Sequence, residues 1–427
     1  MNYRKKTWIV VFALMCCTVL EARQITQASK SPKKATKAIV DGINYALNAK
    51  NNKAKVIAGK NLYTGDVEIP NKFTEDSVTY YVEEIDDGAF KDCASMTSIS
   101  IPNTVTKIGA GAFEDCTGLT SISIPESVLD LPFNLFSGCS ALTEVNLPSG
   151  IKNIGHGAFK KCTALERIEL PSGVTSLAYS LFQGCTSLKD VILPRFLDKI
   201  GYSAFQDCSA LEEIELPNSV KAIGWVAFKN CTSLKRFAFT TSMDNIANSI
   251  FEGCTSLEEV YIPTSITSIT HDAFKGCTSL ETVSIPNSVR SIGTSAFEDC
   301  SNLKTVNIPN GIKEITSYCF KNCGSLIDIT IPTSVKTISN QAFHGCSSIE
   351  SIDIPNSVKE MGGDVFENCS SLMTVFMRSG TPPKIKKDTF PKSLLHEGIL
   401  YVPNPSPYRS DPKNPWSQFR DIKAIAR

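Results

Sequence analysis

Thirteen cysteines stand at a constant interval of 23 residues: Cys93, Cys116, Cys139, Cys162, Cys185, Cys208, Cys231, Cys254, Cys277, Cys300, Cys323, Cys346 and Cys369. Thiols form disulfides or hold metals, so this row is the first candidate for chemistry. Each cysteine follows a phenylalanine by three residues, which gives all thirteen the same inward-facing position in a repeating unit. Neighbours in such a ladder lie about 4.8–5 Å apart with nearly parallel Cα–Cβ vectors, whereas a disulfide needs Cβ atoms about 3.8 Å apart and turned toward each other. Thirteen is also an odd number. A linear ladder offers no tetrahedral metal site, and His156, His271, His344 and His396 have no ligand-like spacing. The row therefore reads as buried free thiols serving as small apolar residues. Cys319, in place of the usual Ala before Phe320, reads the same way.

Motifs for catalysis are missing. The chain has no G-x-S-x-G, no Walker-type loop, no H-E-x-x-H and no G-x-G-x-x-G ahead of a helix. Its acidic residues are spread regularly, as on a solvated face. Lys+Arg and Asp+Glu are both 43, so the basic excess of a nucleic-acid binder is absent. The expectation is binding without catalysis, with no catalytic, cofactor-binding or metal-binding residue.

Binding chemistry belongs to the residues that depart from the repeat. Seven, eight and ten residues after each Phe, side chains are expected to line a concave strand face. In the outer repeats these are mostly Ser, Thr and Asn, as at Ser121, Ser284 and Asn307; in the middle they become charged or large. One column reads Glu166, Lys189, Glu212, Lys235, Glu258, and the next Glu144, Arg167, Asp190, Glu213, Arg236, Glu259. The third reads Glu169, Ile192, Glu215, Ala238, Tyr261. Two readings stand. Opposite charges on adjacent strands stabilise a sheet by a few tenths to about 1 kcal/mol, which makes the columns lateral ladders. The Asp190/Glu213 like-charge step, with Ile192 and Tyr261 on a polar face, points instead to a ligand. Three residues before each Phe, five consecutive repeats carry Phe133, His156, Tyr179, Tyr202 and Trp225, followed by Asn248 and His271. Either these rings form an exposed ridge about 20 Å long, or they fold down over the loop edge. Both features fall between about Phe133 and His271, where a binding region is expected.

What positions these residues is the repeat. Phe90, Phe113, Phe136, Phe159, Phe182, Phe205, Phe228, Phe251, Phe274, Phe297, Phe320, Phe343 and Phe366 keep the same period, the mark of a solenoid whose units bury apolar residues only by stacking. In the unit of Phe113, Leu119-x-x-Ile122-x-Ile124 predicts a short strand that Pro125 ends. Val105-x-x-Ile108 predicts a second extended piece, and Ala112-Phe113-x-x-Cys116 a tight helical or 3₁₀-like turn. Thirteen coils make an array about 60 Å long. The unit of Phe228 is least regular: Phe237 and Phe239 replace the aliphatic pair, Thr240 the proline and Met243 the usual Val. A packing adjustment or a change of curvature would account for it.

The pattern I-P-N-S-V-x-x-I-G-x-x-A-F-x-x-C-x-x-L-x-x-I, as in Ile285–Ser291 and Ile292–Cys300, resembles the BspA-type leucine-rich repeat over about Asp86 to Met377. The stretches Val40 to Tyr81 and Leu400 to Ile422 resemble the terminal regions of such proteins. The resemblance implies a curved solenoid, an extracellular or cell-surface location and a role in adhesion or ligand binding; it carries no set of binding residues. The expected fold is a curved, right-handed, mostly β leucine-rich-repeat solenoid of thirteen 23-residue repeats with a cap at each end.

The ends complete the expected organisation. Arg4, Lys5 and Lys6 before the apolar stretch Trp8 to Leu20 predict a signal peptide over 1–22, too short for a membrane span. A lipid anchor at Cys16 or Cys17 is the alternative, although Met15 is bulky for that processing. A flexible spacer is expected over 23–38, a β-rich cap over 39–85, the repeats over 86–377 and a C-terminal cap over 378–427. The expected function is an exported or surface-displayed, non-enzymatic binding or adhesion protein contacting a host or extracellular protein through its central repeats. The alternatives are a glycan-binding module stacking sugars on Phe133, Tyr179, Tyr202 and Trp225, and a structural surface spacer.

Overall fold

A computed structural model describes residues 36–386, 388–410 and 415–425. The expected signal peptide, the lipid-anchor cysteines and most of the expected spacer lie outside the described residues. The first strand, β1 (Thr36–Val40), begins inside the stretch expected as spacer.

Each repeat is one coil of a solenoid, and two parallel strand ladders run along it. The first holds three-residue pieces such as Arg167–Glu169, in register with Asp190–Ile192 one period later. The second holds two-residue pieces such as Lys199–Ile200, in register with Ala222–Ile223. Alternation decides what faces in: Ile168 and Leu170 are buried, while Arg167 and Glu169 are exposed. Between the ladders the chain makes two tight turns in place of the expected helical or 3₁₀-like turn. In the coil of Phe113, Gly111 (φ 57°) and Asp115 (φ 58°) are both left-handed, which breaks any helical run. Gly, Asn, Ser and Asp dominate these two positions because they tolerate positive φ.

Identical positions stack along the axis. The thirteen Phe rings are fully buried, with successive centroids 5.2–6.0 Å apart. The fourteen described cysteines are free and buried. From Cys116 to Cys369, each ladder thiol donates to the carbonyl of the Phe 26 residues earlier, at 3.0–3.3 Å. Cysteine thus does more than fill space: it is an apolar side chain small enough for the core that also carries a donor for a buried carbonyl. Burial pushes the thiols of Cys185, Cys254 and Cys319 up to about 12, so they stay protonated and unreactive.

Both caps imitate a coil. At the N-terminus β1, β2 (Ile43–Asn48) and β3 (Lys53–Val56) form an antiparallel meander. β4 (Gly65–Glu68) pairs with Met96–Ser100, opening the first ladder, and Tyr63 packs tilted at 53° against Phe90, 4.9 Å away, at the head of the ring stack. β5 (Lys72–Glu75) hairpins with β6 (Val78–Ile85), which pairs with Lys107–Ile108 to open the second ladder. At the C-terminus Phe390 continues the stack 5.5 Å from Phe366, although it lies outside the 23-residue register. Trp416 and Phe419 meet Phe390 edge-on, which ends the series of parallel rings. The indole N–H of Trp416 donates to the Pro383 carbonyl. The architecture is therefore a solenoid of about fifteen turns, mostly strand, with little helix.

The irregular coil of Phe228 is a core adjustment. Phe237 and Phe239 are buried and pack edge-on against Phe251, and Thr240 donates its hydroxyl to the Val220 carbonyl.

Candidate functional site

The first strand ladder presents the three charged columns. Their side chains are largely exposed because alternation turns them away from the core. Most of the charge is cancelled between coils. Arg167 meets Asp190 at 2.8 Å, Lys189 meets Glu166 at 3.2 Å, Lys235 meets Glu212 at 2.6 Å and Arg236 meets Glu259 at 3.8 Å. The lateral-ladder reading thus describes these pairs, each worth a few tenths to about 1 kcal/mol at such exposure.

The columns fail at the coil of Phe205. Glu213 follows Asp190 in the second column, placing two carboxylates on successive coils. In this coil residues 211–217 carry no strand pairing: Asp190–Ile192 pairs with Arg167–Glu169, and Arg236–Ala238 with Glu259–Tyr261, on the far sides of the gap. Facing like charges destabilise a ladder, and this coil, which carries no strand in the first ladder, is the one with the Asp190/Glu213 step. Glu213 and Glu215 have no cationic partner among the described residues. A shallow depression opens beside them, lined by Glu213, Glu215, Leu216, Arg236, Ala238 and Tyr261. Ala238 is the small residue of its column, and Tyr261, 61% exposed, stands as the wall of the hollow. Ile192 is exposed on the other side of Glu215. Of the eight strand-face candidates, Arg167, Asp190, Arg236 and Glu259 are spent on one another, while Ile192, Glu213, Glu215 and Tyr261 keep free valence.

The second candidate surface is the turn edge. Phe133 is 58% exposed, Tyr202 41% and Trp225 56%, with Tyr179 half-buried, so the rings do not fold down. They do cover one another. His156 and Tyr179 centroids are 4.7 Å apart, Tyr179 and Tyr202 4.9 Å, and Tyr202 and Trp225 5.5 Å. The first two pairs are stacked and the third is tilted at 37°. The interior rings thus turn edges outward, and the four aromatic candidates do not offer four parallel faces to a sugar chain. Phe133 stands apart from the stack.

At four coils this ridge position has a structural task. Asp87, His156, His271 and Asn340 accept the backbone N–H of the equivalent residue one coil on, at 2.8–3.1 Å. Phe133, Tyr179, Tyr202 and Trp225 have no such acceptor. The N–H groups of His156, Tyr202, Trp225 and Asn248 accordingly find no partner among the described residues. The residue after Trp225 is also costly. Val226 adopts φ 52°, a left-handed conformation that penalises a β-branched residue by about 1–2 kcal/mol.

Exposed apolar residues that escaped the sequence reading include Phe196, Leu129, Ile327 and Met373. Phe196, with Arg195 above its ring at 5.4 Å, interrupts a row otherwise read as Gly173, Ser219 and Ser242. Leu129, also exposed, sits where other coils carry Lys152 or Thr175. Phe196 and Leu129 were visible as departures from the repeat. No helix among the described residues is long and apolar enough to cross a membrane.

Two parallel strand ladders, joined by tight turns over a single stacked core, define a leucine-rich-repeat solenoid. The family model for the BspA type leucine rich repeat region matches residues 83–212, 178–289 and 267–396, and the chain belongs to that family. A leucine-rich repeat protein from Bacteroides ovatus is 31% identical over 91% of this chain and 100% of its own, with a TM-score of 0.81. A leucine rich cell surface protein from Faecalibacterium prausnitzii is 30% identical over 82% of this chain and 96% of its own, with a TM-score of 0.57. No curated protein matches.

Proposed function

We propose that the chain is a non-catalytic binding module outside the cell, and that a host or other extracellular protein docks on the strand face between the coils of Phe182 and Phe251. The observation that carries this reading is the break at the coil of Phe205. Glu213 and Glu215 there lack cationic partners beside the hollow of Ala238 and the exposed ring of Tyr261. Such a surface suits a partner segment with one or two Lys or Arg residues and an apolar side chain. Tyrosine anchors beside desolvated charge often dominate interface energy. An extracellular position draws support from the family and from the Faecalibacterium prausnitzii relative, a leucine rich cell surface protein. The leader expected over 1–22 and a lipid anchor at Cys16 or Cys17 belong to the same proposal.

The test is surface plasmon resonance of the chain against a panel of purified matrix and plasma proteins. A hit is expected to weaken as salt rises, to drop about tenfold or more in Glu213→Lys with Glu215→Lys, and to weaken in Tyr261→Ala. A hit that survives all three substitutions at parental strength would sink the strand-face reading.

A further inference from the structure

The ring stack ends at Trp225, and that end differs from the rest of the ridge. Tyr179 lies between His156 and Tyr202, and Tyr202 between Tyr179 and Trp225. Trp225 has a ring neighbour on one side only. On the other side the next coil supplies Asn248, whose side-chain amide has no hydrogen-bond partner among the described residues; its backbone N–H has none either. The indole remains 56% exposed.

We propose that this end of the stack is a carbohydrate subsite, where the uncovered side of Trp225 takes the apolar face of one neutral hexopyranose unit and Asn248 hydrogen-bonds its hydroxyls. A pyranose presents a patch of C–H groups carrying partial positive charge, ringed by hydroxyls. The negative face of an indole complements the patch, and an amide with two donors and one acceptor complements neighbouring hydroxyls. The backbone N–H of Asn248, which no ridge side chain engages, adds a donor on the Trp225 side of that coil. Charge argues for a neutral sugar. The three lysines and the arginine of this coil are committed, Lys221 to Asp198 at 2.7 Å, Lys229 to Glu252 at 2.8 Å, Lys235 to Glu212 at 2.6 Å and Arg236 to Glu259 at 3.8 Å, which leaves no spare cation in the coil for an acidic one. Because the interior rings show only edges, a sugar chain gains one stacking contact here rather than four, and affinity is expected in the millimolar range. The subsite is independent of the strand-face reading.

Tryptophan fluorescence tests it. Trp8 and Trp416 are common to the parent and Trp225→Phe, so the difference between the two isolates the indole of Trp225. The full chain is titrated with cellohexaose, laminarihexaose and a galactose-terminated oligosaccharide, with chondroitin sulfate as the acidic control. At least one neutral probe is expected to give a saturable, salt-insensitive change. Binding measured by calorimetry should fall about tenfold or more in Trp225→Ala and less in Asn248→Ala, and stay at parental strength in the Glu213→Lys, Glu215→Lys double variant. Both single sites are on the surface, and an unchanged thermal midpoint shows that the variants are folded. Absence of a saturable response to every neutral probe overturns the proposal. So does binding that Trp225→Ala leaves intact, or a response to chondroitin sulfate alone.

Discussion

On the strand face, Arg167 meets Asp190 and Lys235 meets Glu212 across neighbouring coils, so charge is cancelled where it arises. On the turn edge, His156 meets Tyr179 and Tyr179 meets Tyr202, so aromatic faces are consumed where they arise. Both surfaces obey one geometric fact: a repeat places like positions about 5 Å apart, and neighbours satisfy each other. Glu144, Glu169 and Glu258 also lack an ion pair among the described residues, but the missing strand sets two unpaired carboxylates beside a hollow and an exposed ring. On the strand face the break is Glu213, Glu215 and Tyr261; on the turn edge it is Trp225 beside Asn248. Both proposals therefore rest on the interruption of a column rather than on the column itself.

The largest expected effect comes from removing what the two surfaces share. Phe205 lies in the core beneath both, and Phe205→Ala should cost about 3–5 kcal/mol, because stacked coils cannot collapse into the cavity. Urea unfolding would measure it. Both binding activities should weaken together, and a variant that loses one while keeping the other would show that the surfaces do not depend on a common core. Alkaline pH attacks the same core chemically. Thiols such as Cys185 and Cys254 have folded values raised to about 12 by burial, against about 8.5 when unfolded. The stability they confer is present below about pH 8.5 and is lost as pH rises toward 12, at about 1.4 kcal/mol per pH unit for each thiol released by unfolding. The urea midpoint should accordingly fall from about pH 9 upward. Replacing Cys185 and Cys254 by Ala should blunt that fall; an unchanged pH profile would count against the thiols.

Smaller effects separate the surfaces. Val226→Asn should stabilise the fold by about 0.5–1 kcal/mol by relieving the left-handed valine, read as a raised thermal midpoint. Loss of stability there would mean that the valine packs favourably enough to outweigh its backbone. Arg167→Ala should change stability by about 0.2–1 kcal/mol and leave protein binding near the parental level, since the arginine is spent on Asp190. A large loss of binding in this variant would return the paired columns to the ligand.

The coils, their strands and the buried thiols were legible because the period fixes which positions face inward, and inward positions accept only a few residue types. The caps were legible only in outline. Tyr63 and Phe390 take rungs of the ring stack without keeping the 23-residue register, so nothing periodic marks them. The tight turns were misjudged because i→i+3 hydrogen bonds fit a 3₁₀ turn equally well, while the left-handed residues at Gly111 and Asp115 do not. The candidate residues were found as departures from the repeat, but their division into spent and free was not foreseeable. Arg167 and Glu213 look alike in a column and differ in what lies across from them.

The sequence alone determined the solenoid, its register and the members of each column, because one period forces every coil to repeat the burial pattern of the last. The tertiary structure alone decided which column members have partners. Pairing depends on the sign, reach and ring orientation of side chains one coil away, and those are properties of stacked neighbours rather than of any residue by itself.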